Sequence, residues 1–447
     1  MLYLRALRHR PETLRTVITV MFLITVTVLL STFIGGQAVE DARAAMVVVA
    51  VILISTVAFY TATRHEQDGD RLYRLLMLAL ILKLGAVAFR LWLIFSVYGG
   101  VADAVDYHLW GIRLAEGGVT RDLISGGGSF GTNNVRMASG LFYFVTGPTF
   151  IGAFVFWAWL GLLGMWMFYR AFVTAIPHGD RRVFSLLILL YPSMILWTSS
   201  LGKDALSVFF LGMATYGVAL LSRHVGARGM TLAAAGVAGL LMVRPHIAAA
   251  FVAAGVGASL FRPFRLGLLG PVVKVLAIAA FAVGAIVLVR FSASALQLDD
   301  LSAEGVLEFI EERAESTERG GAAIERGLPT DPVAFADGVL TVFFRPYPWE
   351  ARNIPAMISA VEGSLLFLLM FFIRRRSVVA AIREARSSPL VIGAIVYALL
   401  FAFMFSAVSN YAIIARQRVQ LLPFVFVLIA YLGTARPARR GLDARVG

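Results

Sequence analysis

Apolar runs long enough to cross a membrane recur along the whole chain. They fall near 16–35, 44–63, 73–97, 149–170, 269–291, 357–373, 389–408 and 419–434. A helix needs ~20 such residues to cross the ~30 Å hydrocarbon layer, and a helix satisfies its own backbone there. Two longer stretches, 183–222 and 230–261, have room for paired helices. The first is interrupted at Ser199-Ser200-Leu201-Gly202-Lys203-Asp204, the second at Arg244-Pro245-His246. A charge or proline inside a lipid-facing helix is costly, and the cost falls away if the chain emerges there and turns. The sequence therefore predicts one all-α membrane domain over 1–447, a polytopic helix bundle of about twelve spans. Composition agrees: 59% of residues are apolar and 15% charged, against ~25% charged in soluble domains.

The basic residues set the expected orientation. Arg5, Arg8, Arg10 and Arg15 precede the first run, and every second connection is again basic. These connections carry Arg64/Arg71/Arg74, Arg170/Arg181/Arg182, Arg223/Arg228, Arg262/Arg265 and Arg374-Arg375-Arg376 with Arg383/Arg386, and the tail follows with Arg436, Arg439, Arg440 and Arg445. The positive-inside rule then places both termini in the cytoplasm of a multi-pass plasma-membrane protein. The first run is of spanning length and lacks an A-x-A site, so it reads as a span and not a cleaved leader. The net charge of +13 is scattered between apolar runs, which excludes a nucleic-acid face and points to anionic membrane lipids. With no cysteine there is no disulfide framework, thiolate metal site or cysteine nucleophile.

Two connections are long, 99–148 and 292–356, and both are expected to be ordered loops on the extracytoplasmic side. The first holds Gly126-Gly127-Gly128 and an amphipathic segment around Met137–Val145. The second holds an acidic helical stretch, Leu301–Glu315, and an apolar segment, Val333–Phe344, too short to span.

Cations on the outer side run against the positive-inside rule, so Lys203, Arg244, Arg345, Arg352, Arg416 and Arg418 are candidates for holding an anionic group. A lipid phosphate suits them, since guanidinium binds phosphate in a fork; snorkelling to headgroups is the bland alternative. His246 flanks Arg244 across Pro245 as a second cation-capable group. Arg416-Gln417-Arg418 is expected to begin the last helix, where free amides also favour an anion. Asp103, Asp106 and His108 in the first loop are the catalytic candidates, a general base for an acceptor hydroxyl, with Tyr107 beside them. Asp with His also suits a divalent cation; a helix cap is the structural alternative. Asp204 suits a helix start. Trp349 and Glu350 follow Arg345 in an aromatic-proline segment that reads either as an interfacial belt or as the wall of a lipid site, with Glu350 orienting Arg345. Within the runs, Lys83 and Arg90 share a helical face and Glu362 lies further on, so a Lys/Arg–Glu pair is expected.

The Asp103–His108 segment, the stretch from Pro192 to Asp204 and the basic start of the last run resemble GT-C-type membrane glycosyltransferases, and in layout the uncharacterised actinobacterial membrane proteins of that type. The resemblance implies a polyprenyl-phosphate or -diphosphate sugar as donor, with Asp103 or Asp106 as base. Lys203, Arg244, Arg345, Arg416 and Arg418 would be donor-phosphate ligands, and the acceptor a glycan or lipid. Here the acidic loop follows the third run, where that family has it after the first. The layout is also similar to bacterial O-antigen polymerases and ligases, which implies reliance on outer arginines. A transporter or flippase would instead show discontinuous helices with polar residues at mid-membrane, and a non-catalytic envelope scaffold would need no outer cations.

Overall fold

The protein was analysed as a computed structural model, which describes residues 38–66, 68–117, 129–260, 332–351, 354–406, 408 and 410–433. The expected spans at 16–35 and 269–291, the stretch Leu301–Glu315, Gly126–Gly128, Arg352 and the arginines of both termini lie outside those residues.

The described chain is helical. In order it forms α1 (Ala38–Thr63), α2 (Gly69–Trp92, continued by a π-helical turn Leu93–Val97), α3 (Asp103–Gly117), α4 (Phe130–Thr146) and α5 (Phe150–Ala175). Then come α6 (Arg181–Leu190), α7 (Pro192–Leu196), α8 (Lys203–Arg223), α9 (Ala227–Val243) and α10 (Pro245–Leu260). The carboxyl-terminal part holds α11 (Pro332–Phe344), α12 (Ile354–Leu368, with a π turn Leu369–Ile373), α13 (Arg375–Arg383), α14 (Pro389–Ser406), α15 (Tyr411–Gln417) and α16 (Leu422–Ile429). Among the described residues, six helices are long and apolar enough to cross a membrane, or seven if the bent pair around Leu421 is one span. The chain is a helical membrane protein.

Three local results differ from expectation. The run 183–198 is not one helix: Tyr191 is extended (φ −63°, ψ 127°) before Pro192, which opens α7. Proline restricts the preceding residue to extended backbone and is itself comfortable at the first turn of a helix. The last run is also broken, with a bend of 61° between Tyr411–Gln420 and Leu422–Ile429. Consequently Arg416 and Arg418 do not start the last helix. They stand at the carboxyl end of α15 and in the turn after it, where a cation meets helix carbonyls and no free amides. The amino end of α15 is capped instead by Asn410, whose side-chain oxygen accepts from the amides of Ala412 and Ile413 at 3.0 and 3.3 Å.

The chain divides into two compact units. One comprises Met1–Trp166, Leu189–Phe210 and Met242–Arg244; the other Met167–Ile188, Leu211–Leu241 and Pro245–Gly447. In the first unit the described part of the 99–148 connection is a pair of packed helices, α3 and α4. α3 and α4 close on each other through glycines: a Cβ at Gly111 would lie 2.9 Å from the Ser139 side chain, and one at Gly140 would lie 2.6 Å from that of Leu114. Met137, Leu141, Phe144 and Val145 form an exposed apolar stripe along α4, matching the amphipathic segment expected there.

In the second unit small residues again set the packing, as is usual where lipid supplies no hydrophobic drive between helices. A Cβ at Gly217 of α8 would meet the Ala233 amide nitrogen of α9 at 2.3 Å, and one at Gly363 of α12 would meet the Phe344 carbonyl at 2.2 Å. Phe401, Tyr397 and Phe424 pack as buried rings between α14 and α16. Asp180 ties three connections together: it caps α6 through the Val183 amide (3.1 Å), accepts from Arg374 (3.0 Å) and donates its own amide to the Ala430 carbonyl (2.8 Å).

Candidate polar site on the first long connection

Within the first unit, α4 is the element that collects polar groups. Its amino end carries Ser129, Thr132, Asn133 and Arg136, one turn apart, so they face one side. Arg136 grips Asp106 of α3 with a fork, Nε to Oδ2 and Nη2 to Oδ1, both at 2.9 Å, and donates to Asn133 at 3.0 Å. Its guanidinium also lies over the Trp110 ring at 4.7 Å. Next along the helix, Thr132 Oγ1 accepts from Lys203 Nζ at 2.9 Å, and Ser129 Oγ from the same ammonium at 3.5 Å. Lys203 opens α8, and its neighbour Asp204 accepts from Arg244 at 2.5 Å in a pair whose side chains are only 2% and 6% exposed.

A polar ribbon thus runs Asp106–Arg136–Asn133, then Thr132–Lys203, then Asp204–Arg244. Close approach makes it possible: a Cβ at Gly131 would lie 2.3 Å from the Val243 carbonyl, and Asn134 donates to the Met242 carbonyl at 2.8 Å. Of the cations proposed for one phosphate site, Lys203 and Arg244 belong to this unit with the Asp103–His108 segment, while Arg345 and Arg416 belong to the other. Asp106 accepts from Arg136 through both of its oxygens. Asp103 is exposed in the first turn of α3. His108 Nδ1 lies 2.7 Å from the buried Tyr143 hydroxyl and its ring packs against Phe150, so it joins α3 to α4 and α5. Tyr107 is buried at 3% exposure. Among the described residues, no three His, Cys, Asp or Glu side chains form a metal-ligating group.

The second unit holds its own cluster. Arg345 lies against Glu350, with Nε at 3.0 and 3.2 Å from the two carboxylate oxygens and a further bond from Nη2. The Tyr347 amide and the Tyr411 hydroxyl also donate to Glu350, at 2.8 and 3.1 Å. Burial pushes the Glu350 carboxyl up, but the bonds from Arg345, Tyr347 and Tyr411 together hold it below the usual glutamate range. The bond to Glu350 in turn raises Arg345, against its partial burial. Trp349 is 80% exposed and stacks on Tyr347 at 5.1 Å. Arg418 is buried and donates to the carbonyls of Val342 (2.9 Å) and Arg345, so it closes the carboxyl end of α11. His246 packs its ring near Phe405. Arg416 lies in the last turn of α15 and is half-buried.

The residues missed from sequence are Arg136, Ser129, Thr132 and the partners of Lys83. Arg136 had a signal, being one more arginine in the first long connection. Lys83 is fully buried and donates to the Thr198 hydroxyl (2.5 Å), the Thr198 carbonyl (3.2 Å) and the Ser199 hydroxyl (3.4 Å), in place of the carboxylate expected for it. Arg90 lies over the Trp197 ring at 5.2 Å. Comparison with protein-family models, with curated proteins and with solved structures found no match.

Proposed function

We propose that the chain is a plasma-membrane glycosyltransferase or polysaccharide polymerase of GT-C-like layout. It would transfer a sugar from a polyprenyl-phosphate or -diphosphate donor to a glycan or lipid acceptor at the outer leaflet, during cell-envelope synthesis. The observation that supports this is the ribbon: an acid-bearing pair of helices folded onto the Lys203 and Arg244 tips within one unit. Twelve spans result if the α6–α7 run and the shorter helices α9 and α10 also cross and the segments at 16–35 and 269–291 are added to the seven described, with both termini cytoplasmic and the ribbon extracytoplasmic.

In this reading the acceptor oxygen attacks the anomeric carbon while the bond from that carbon to the lipid phosphate oxygen breaks. The acceptor proton passes to Asp103, and the developing phosphate charge is met by Lys203. Asp106 and Asp204 hold Arg136 and Arg244 in place, so those arginines act on a donor only through their remaining N–H groups. The test is donor binding and turnover by the purified protein with a short-chain polyprenyl-phosphate sugar. Asp103→Asn should abolish transfer and leave thermal stability intact, and Lys203→Gln should weaken donor binding. Full activity in both variants would sink the reading.

A transporter of lipid or glycan is a second reading, favoured by one observation. The break between α7 and α8 sets the Thr198 and Ser199 hydroxyls against Lys83 of a spanning helix, the kind of polar interruption that transporters use. Movement of labelled polyprenyl phosphate across protein-containing vesicles, without sugar transfer, would select it.

A further inference from the structure

We propose that the break at 197–202 lies inside the hydrocarbon layer, bolted there by Lys83, and that Lys83 is the positioning residue that presents Lys203 and Asp204 to α4. This stands whether the ribbon serves transfer or transport.

The depth follows from elements of the first unit alone. α2 and its π turn form a 29-residue spanning segment, Gly69–Val97, and Lys83 stands fourteen residues from either end. At 1.5 Å per residue the segment is about 43 Å long, against a hydrocarbon layer of ~30 Å. Even if the whole excess overhangs on one side, Lys83 stays about 8 Å inside the apolar layer. Thr198, bonded to it, is therefore at that level. α5 gives the same answer independently. A Cβ at Gly161 would lie 3.0 Å from the Thr198 carbonyl and 3.2 Å from Lys83 Nζ, and Gly161 is eleven residues below Phe150 in a 26-residue span.

Non-helical backbone survives at membrane depth only where protein covers it. Trp197, Thr198, Ser199, Ser200 and Leu201 are all buried. The end of α7 is satisfied locally: the Thr198 hydroxyl donates to the Met194 carbonyl at 2.5 Å and the Ser199 hydroxyl to the Ile195 carbonyl at 2.6 Å. Lys83 then donates to the Thr198 carbonyl and hydroxyl at that carboxyl end. Gly161 leaves room for the Lys83 amine, which even a Cβ there would crowd. The next helical residues are Lys203 and Asp204, so the ribbon inherits its position from this bolt.

Two measurements in membrane vesicles decide the matter. A spin label at Leu82→Cys, exposed on α2 beside Lys83, should show the high oxygen and low nickel-chelate collision rates of the apolar layer; headgroup-level rates would overturn the depth. For the bolt, Leu201→Cys, 2% exposed, should resist maleimides in the otherwise native chain. Its labelling by a permeant maleimide should rise at least about tenfold with Lys83→Met, the weight of one lost hydrogen bond to a charged group. Leu76→Cys on α2, fully buried, should stay protected. Unchanged labelling at Leu201 would overturn the proposal. If Leu76→Cys also becomes reactive, Thr198→Val, which keeps the lysine, decides: it must raise labelling at Leu201 alone, and failure to do so refutes the bolt.

Discussion

The Asp204–Arg244 pair offers the sharpest test of how the ribbon is held. Both side chains are nearly enclosed, at 2% and 6% exposure, and meet at 2.5 Å. Removing one partner of such a pair strands a buried charge and typically costs about 3–5 kcal/mol, whereas replacing both with apolar groups is often neutral. Asp204→Asn and Arg244→Met should therefore each lower stability by about 3–5 kcal/mol, and the double variant Asp204→Leu/Arg244→Met by much less than the sum. For a chain of this length that is roughly a 3–10 °C fall in Tm for each single variant, scaling down the usual shift per kcal/mol. Thermal unfolding in detergent, followed by loss of the monodisperse peak, reads it directly. Single variants within about 1 °C of the parent, or a double variant equal to the sum, would refute the buried-pair argument. Arg244 would then be available to a ligand as originally expected.

Other outcomes follow from the same structure. Glu350 is held below its ordinary range, so its contribution to stability is complete above the unfolded glutamate value of about 4.3 and is lost as pH falls through the lower folded value. The Tm gap between the parent and Glu350→Gln should accordingly be open at neutral pH and close on acidification below about 4. Gly217→Ala should destabilise by about 1–3 kcal/mol, because its Cβ would meet the Ala233 backbone, while Gly85→Ala, with open space around it, should be neutral or better. Single cysteines at Gly127 and Gly320 should be labelled by an impermeant reagent from outside, and cysteines at His178 and Gly441 only after permeabilisation. The neighbouring Gly179 would not serve, because a side chain there would strike Phe172 at 2.4 Å. Labelling of His178→Cys in intact cells would reverse the proposed orientation.

The spans were legible because lipid demands long apolar helices and little else: α1, α2, α5, α8, α12 and α14 all fall where apolar runs predict them. Breaks were legible as places but not as depths. Ser199–Asp204 reads as a turn, and nothing local in sequence says that residue 83 meets residue 198. The candidate site was legible as a list of types. Lys203, Arg244 and the Asp103–His108 segment do belong to one unit. What the list could not show is that guanidinium groups arrive with carboxylates of their own: Arg136 with Asp106, Arg244 with Asp204, Arg345 with Glu350. Pairing is a property of tertiary contact, and charges of one sign read along a chain overstate what a ligand meets.

The Lys83–Thr198 contact also carries a consequence for how the chain is made. Its partners are 115 residues apart. At ~5–20 residues per second, a ribosome needs about 6–23 s to deliver Thr198 after Lys83 has left it. For that interval α2 holds an ammonium near its centre with neither hydroxyl nor carbonyl to receive it, a burden of about 2.5–3.5 kcal/mol for a helix entering lipid alone. The second described span is thus expected to linger beside the insertion machinery until α7 arrives. Shortening the delay, by expressing residues 181–223 from a separate message ahead of the rest, should speed its release into the bilayer.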